Sequence, residues 1–123
     1  RSGMTTSVRA ELRCPDPSCN PYLAYSSMLA AALDGMKQQL TPPEPLNDVN
    51  VYELSREERQ NLNIVELPGS LREALVELEK DSVIQQALGE TLYNAFRRAK
   101  WAEWERYRLD VTDWELARYL ETA

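Results

Sequence analysis

The chain has no histidine, only two cysteines, no surplus of basic residues and no long apolar run. Cys14 and Cys19 flank Pro15 and Pro17 rather than forming a Cys-x-x-Cys pair. With that spacing and no imidazole, neither a zinc centre nor a dithiol redox motif fits. Two reduced thiols are expected instead, the pattern of a cytoplasmic protein. Twenty acidic against fourteen basic side chains leave a formal net charge of −6. That argues against a nucleic-acid partner, because such modules carry a basic face. The longest apolar run, Met28 to Leu33, is too short to cross a bilayer, and no signal-peptide pattern is visible near the start. No membrane partner is expected. There is also no internal repeat and no low-complexity tract.

What is present is ordinary for a soluble globular protein. Hydrophobic residues make up 43% and charged residues 28% of 123 positions, enough for one domain with a modest core.

The most informative stretch is Val8 to Leu23. Its first half alternates: Val8, Ala10 and Leu12 are apolar, whereas Arg9, Glu11 and Arg13 are charged. Successive strand residues point to opposite faces, so a β-strand over Val8 to Cys14 would put all three charges on one side. Pro15 and Pro17 end that strand, since neither can donate a ladder hydrogen bond. Two guanidiniums flanking a carboxylate suit a metal–phosphate site: arginine offers planar donors to anionic oxygens, and glutamate a hard oxygen to Mg²⁺ or Mn²⁺. A solvated strand face with an internal salt-bridge ladder has the same pattern.

The remainder reads as helices. Asn20-Pro21 is an N-cap followed by proline at the first helical position, opening a helix to about Leu40. Leu23, Met28, Leu29, Leu33 and Met36, with alanines between them, predict burial on more than one side. Gly35 marks close packing or the approach of the helix end. Pro42, Pro43 and Pro45 make a stiff connector, and Val51 to Leu54 reads as extended. Capping boxes begin at Ser55, Ser70 and Thr112. They open a short polar helix to about Asn61, a helix with Leu71, Ala74, Leu75 and Leu78 on one stripe, and a last helix to about Glu121. Asp81-Ser82 caps another short helix that Gly89 ends. Glu90 to about Leu109 is a long helix. The stretch is mainly α-helical, with five or six helices and one N-terminal strand. A lone strand cannot satisfy its own backbone groups, so its sheet neighbours must come from outside these residues.

Arg-x-Glu-x-Arg followed by Pro-Asp-Pro-Ser-Cys-Asn-Pro-Tyr-Leu-Ala resembles the C-terminal part of the catalytic domain of type I glutamine synthetases, the bacterial and archaeal class. Leu33-Asp34-Gly35-Met36, Asn50-Val51-Tyr52-Glu53-Leu54, Leu67-Pro68-Gly69-Ser70-Leu71, Ala87-Leu88-Gly89-Glu90 and Trp114 to Leu120 look like further landmarks in the family's order. The resemblance implies an α+β parent enzyme of which residues 1–123 form a C-terminal portion of the catalytic domain, without the N-terminal β-grasp domain. It implies an ATP-dependent ligase joining glutamate and ammonia, working with Mg²⁺ or Mn²⁺ and assembling as a dodecamer of two hexameric rings. It implies that Glu11 is a metal ligand, that Arg13 is catalytic and contacts glutamate, and that Arg9 faces the ATP phosphates. Trp114, Leu116, Tyr119 and Leu120 would anchor the last helix in a subunit of the facing ring.

Tyr52 resembles the tyrosine that one subgroup adenylylates. Ser55-Arg56-Glu57-Glu58 and the Trp-Glu near the end look more like the subgroup that is not modified, and a surface tyrosine anchoring a loop is expected. Within the superfamily, a γ-glutamyl ligase using an amine or polyamine is the alternative, followed by a catalytically silent structural or regulatory relative. The aromatic-rich last third, from Trp101 to Tyr119, reads as packing and subunit contact. Its arginines are interleaved with Glu103 and Glu105, which spoils a basic stacking groove. The family's other metal ligands and its glutamate-binding segment lie upstream of the matching stretch, so these residues alone are expected to be inactive.

Overall fold

The structure, a computed structural model, describes residues 11–47 and 49–120. Six helices make up its regular secondary structure: α1 (Pro21–Lys37), α2 (Arg56–Asn61), α3 (Leu71–Lys80), α4 (Ser82–Leu88), α5 (Glu90–Tyr107) and α6 (Asp113–Tyr119). Among the described residues there is no strand. The strand expected over Val8 to Cys14, with its sheet neighbours outside these residues, is not formed as a paired strand where it can be followed. Glu11 to Cys14 is in no ladder among the described residues, and Val8, Arg9 and Ala10 lie outside them. The physical reason is the missing ladder: no described segment offers a neighbour to pair with.

Local chemistry sets the helix ends. Asn20 Oδ1 accepts from the Tyr22 and Leu23 amides, and Pro21 takes the first position of α1. The helix stops at Lys37 rather than Leu40. Gln39 turns to φ 53°, its amide donates to the Met36 carbonyl at 3.2 Å, and the Leu40 amide donates to the Gly35 carbonyl at 3.0 Å. This is a Schellman closure with glutamine in the left-handed position. Leu40 folds back over Gly35, where a β-carbon would lie 3.9 Å from its Cδ1. Asn63, at φ 53°, closes the end of α2 in the same way.

The boxes at Ser55 and Thr112 are complete. The one at Ser70 is half made: Ser70 accepts from the Glu73 amide, but the Glu73 carboxylate reaches back to the Gly69 amide at 2.8 Å. Val51 to Glu53 is a turn, not an extended segment. Asn50 Oδ1 accepts from the Tyr52 amide, and the Asn50 carbonyl accepts from the Glu53 amide. Asparagine commonly closes turns through this side-chain contact.

Helix α1 packs on α4, α3 packs on α4 and α5, and α4 packs on α5. These four helices form the body. Helices α2 and α6 pack on none of the others. The core is thin: Leu75, on the α3 stripe, is the one buried side chain among the described residues. The accessible surface of 11504 Å² far exceeds the about 6,700 Å² expected of a compact protein of 14.1 kDa. Much of the excess is apolar. On α1, Leu23, Ala24, Ser27 and Met28 are half-buried, whereas Tyr22, Tyr25, Leu29 and Met36 stand exposed on another side.

One polar tie crosses the body. Glu79 of α3 accepts from Arg97 Nε at 2.5 Å and from Trp101 Nε1 at 2.9 Å, both on α5. The Trp101 hydrogen bond, then Arg97, holds the Glu79 carboxyl below its ordinary value against a weaker opposing desolvation.

Candidate functional site

The charged stretch leaves the helical body at the start of α1. Arg13 Nη2 donates to Glu11 Oε2 at 2.8 Å, and both side chains are exposed, Arg13 by 87% and Glu11 by 42%. Residues two apart thus meet on one side of the chain, as the alternation predicts, although no ladder is formed among the described residues. Arg9 lies outside the described residues.

The proline string that follows is a built turn. Asp16 Oδ1 accepts from the Ser18 amide at 2.7 Å and from Ser18 Oγ at 2.6 Å. The Asp16 carbonyl accepts from the Cys19 amide at 3.0 Å. Ser18 holds the Asp16 carboxyl below its ordinary value, the hydroxyl contributing more than the amide. Cys14 and Cys19 are free thiols, both exposed.

The chemistry available here is that of one wall. Glu11 can give a single hard oxygen to a divalent cation, and Arg13 a planar fork to a carboxylate or phosphoryl group. Among the described residues, no group of three or more His, Cys, Asp or Glu side chains could hold a metal ion. Glu11 therefore fits a Mg²⁺ or Mn²⁺ site only as one ligand of several. Beside the turn, a groove of about 670 Å³ runs between α1 and α3–α5. Leu23, Leu78, Ile84, Leu88 and Phe96 line it, with Asp16 and Lys100 among its polar members. That lining suits apolar contact rather than phosphate.

Residues 2–119 match the family described as glutamine synthetase, catalytic domain. The chain belongs to this family. It is 54% identical to the glutamine synthetase of Thermus thermophilus over 122 residues, which is 99% of this chain and 27% of that protein. It is 50% identical to the glutamine synthetases of Methanocaldococcus jannaschii and Thermotoga maritima, each over 113 residues and 92% of this chain. The chain spans about a quarter of the length of these curated glutamine synthetases.

The glutamine synthetase resemblance singles out two other groups. Tyr52 sits on the turn made by Asn50, with its side chain out in solvent at 93% exposure, so it does not anchor the loop from beneath. Trp114, Leu116 and Tyr119 on α6 and Leu120 at its C-cap are all exposed. Trp114 and Tyr119 meet edge to face at 6.0 Å. Thr112 and Glu115 cap this helix, and the Glu115 carboxyl is held below its ordinary value by the Thr112 amide first and its hydroxyl second.

Sequence reasoning missed two features. It read Pro15 and Pro17 as the substance of the turn and passed over Asp16. Asp-x-Ser is a recognisable signal for a side chain bonding the backbone two residues on. The Glu79–Arg97–Trp101 tie had no local signal, because its partners are 18 and 22 residues away.

Proposed function

We propose that this chain is a C-terminal portion of the catalytic domain of an ATP-dependent ligase that makes glutamine from glutamate and ammonia. ATP phosphorylates the glutamate γ-carboxylate, and ammonia then displaces phosphate from the acyl phosphate. One observation carries the reading. In a chain of the glutamine synthetase family, the Glu11–Arg13 pair stands exposed where the chain enters the Asp16 turn.

The roles follow from the groups themselves. Glu11 is one carboxylate ligand to Mg²⁺ or Mn²⁺, with the other ligands supplied from outside the described residues. A bound divalent cation would neutralise charge on the transferring phosphoryl group. Arg13 turns its fork to the γ-carboxylate and the phosphoryl oxygens, positions where fixed donors stabilise developing charge. Arg9 faces the ATP phosphates. Helix α6 is a subunit contact in a dodecamer of two hexameric rings. A helix of seven residues that packs on no other described helix is marginal in water unless a neighbour covers it. Tyr52 remains an unmodified surface tyrosine.

The test is a coupled assay of ADP release by the full-length protein, with glutamate and a panel of amines. Ammonia is expected to be the preferred acceptor. Arg13→Lys, which keeps the charge and loses the fork, is expected to lower kcat about a hundredfold. Turnover with a larger amine but not ammonia would make the protein a γ-glutamyl-amine ligase instead. Wild-type activity in Arg13→Lys would remove Arg13 from the site.

A further inference from the structure

We propose that Asp16 is a positioning residue for Glu11 and Arg13, setting through the turn it closes the direction in which the charged segment leaves the helical body. The inference rests on the site reading above.

Between Arg13 and Asp16 lie only Cys14 and Pro15. Pro15 and Pro17 fix φ on both sides of Asp16 and donate no backbone hydrogen bond. That leaves the turn dependent on the acceptors it can offer, and Asp16 supplies them from both ends. Its carboxylate takes the Ser18 amide and hydroxyl, and its carbonyl takes the Cys19 amide. The next residue, Asn20, binds the first amides of α1, and α1 packs on α4. A continuous series of short contacts thus runs from the helical body to the residue three before which Arg13 stands. No strand ladder among the described residues fixes Glu11 to Cys14. Among the described residues the turn is the link that joins this segment to the helical body. The Asp16 carboxylate does this as an acceptor, not as a charge. Asparagine carries the same oxygen at the same place and closes the same kind of turn.

The distinction gives the experiment. Asp16→Ala, Asp16→Asn, Ser18→Ala and Glu11→Ala are made in the full-length protein. Mn²⁺ binding to the ligand-free enzyme is followed by the electron paramagnetic resonance signal of free Mn²⁺. Glutamine formation is measured against Mg²⁺ concentration, and thermal unfolding confirms that each variant folds. Partners that orient a metal ligand typically change affinity or activity by about 10- to 100-fold. Asp16→Ala is expected to weaken Mn²⁺ binding and raise the Mg²⁺ requirement about tenfold. Ser18→Ala, which removes the hydroxyl and leaves the amide, is expected to fall between Asp16→Ala and the parent protein. Asp16→Asn is expected to restore both readouts to within about twofold.

Asp16→Asn as impaired as Asp16→Ala overturns the proposal, because the charge would then be the active feature. If Asp16→Ala does not fold, the comparison of Ser18→Ala with Asp16→Asn decides. Unchanged Mn²⁺ binding in a folded Ser18→Ala variant also overturns it. If Glu11→Ala leaves metal dependence unchanged, the site reading fails and this inference with it. A sensitive Glu11→Ala beside a wild-type-like Asp16→Ala defeats this inference alone.

Discussion

Truncating Trp114 to alanine in the full-length protein should weaken the ring contact proposed for α6. Trp114 is 67% exposed in this chain, and a tryptophan buries 150–250 Å² when fully covered. About 130 Å² of its surface is therefore left for a partner to cover. At about 25 cal/mol per Å² that is worth about 3 kcal/mol, and about 2 kcal/mol after the ring and its neighbours are ordered. The expected loss is roughly 30-fold in the dissociation constant per contact. Sedimentation velocity across a range of protein concentration reads it directly: the variant should release single rings at concentrations where the parent stays paired. Trp114→Phe, which keeps an aromatic body and the edge-to-face partner Tyr119, should lose much less. Identical sedimentation of the alanine variant and the parent would refute the reasoning and leave α6 without a partner.

Two further outcomes concern the helical body. Leu75→Ala removes the one fully buried side chain among the described residues and should cost about 2–3 kcal/mol, the low end for leucine truncation because the core around it is thin and can relax. A urea titration of the chain followed by far-ultraviolet circular dichroism would measure it, and a loss below about 0.5 kcal/mol, the range of an uninvolved surface site, would contradict the assigned core. Glu79 has its folded pKa lowered, so its contribution is fully present above the ordinary glutamate value of 4.5 and is lost as pH falls through the lowered value. Glu79→Gln should therefore lower Tm at neutral pH by an amount that shrinks steadily in acid, and a difference that stays constant with pH would contradict the tie.

Most helices were legible because their starts are written in adjacent residues. Asn20-Pro21, Ser55 with Glu58, and Thr112 with Glu115 each satisfy local amides, and local bonds need no tertiary partner. The same locality explains the errors. Val51 to Leu54 looked extended from its side chains, but Asn50 claims the Tyr52 amide first. A strand over Val8 to Cys14 takes its neighbours from outside these residues, and Glu11 to Cys14 is in no ladder among the described residues. The side-by-side placement of Glu11 and Arg13 was legible because it depends only on a spacing of two. What the pair faces was not, since among the described residues no group of three or more His, Cys, Asp or Glu side chains could hold a metal ion with it. The two-sided burial expected of α1 is half visible: one side packs on α4, and Tyr22, Tyr25, Leu29 and Met36 stand exposed among the described residues.

The most direct test of the central claim is Glu11→Ala in the full-length protein, assayed for glutamine formation across a titration of Mg²⁺ and of Mn²⁺. Loss of one carboxylate ligand should abolish activity or move the metal requirement up by at least about tenfold in both titrations. Near-parental activity at the parental metal concentration would contradict the assignment of Glu11 and the wall it anchors.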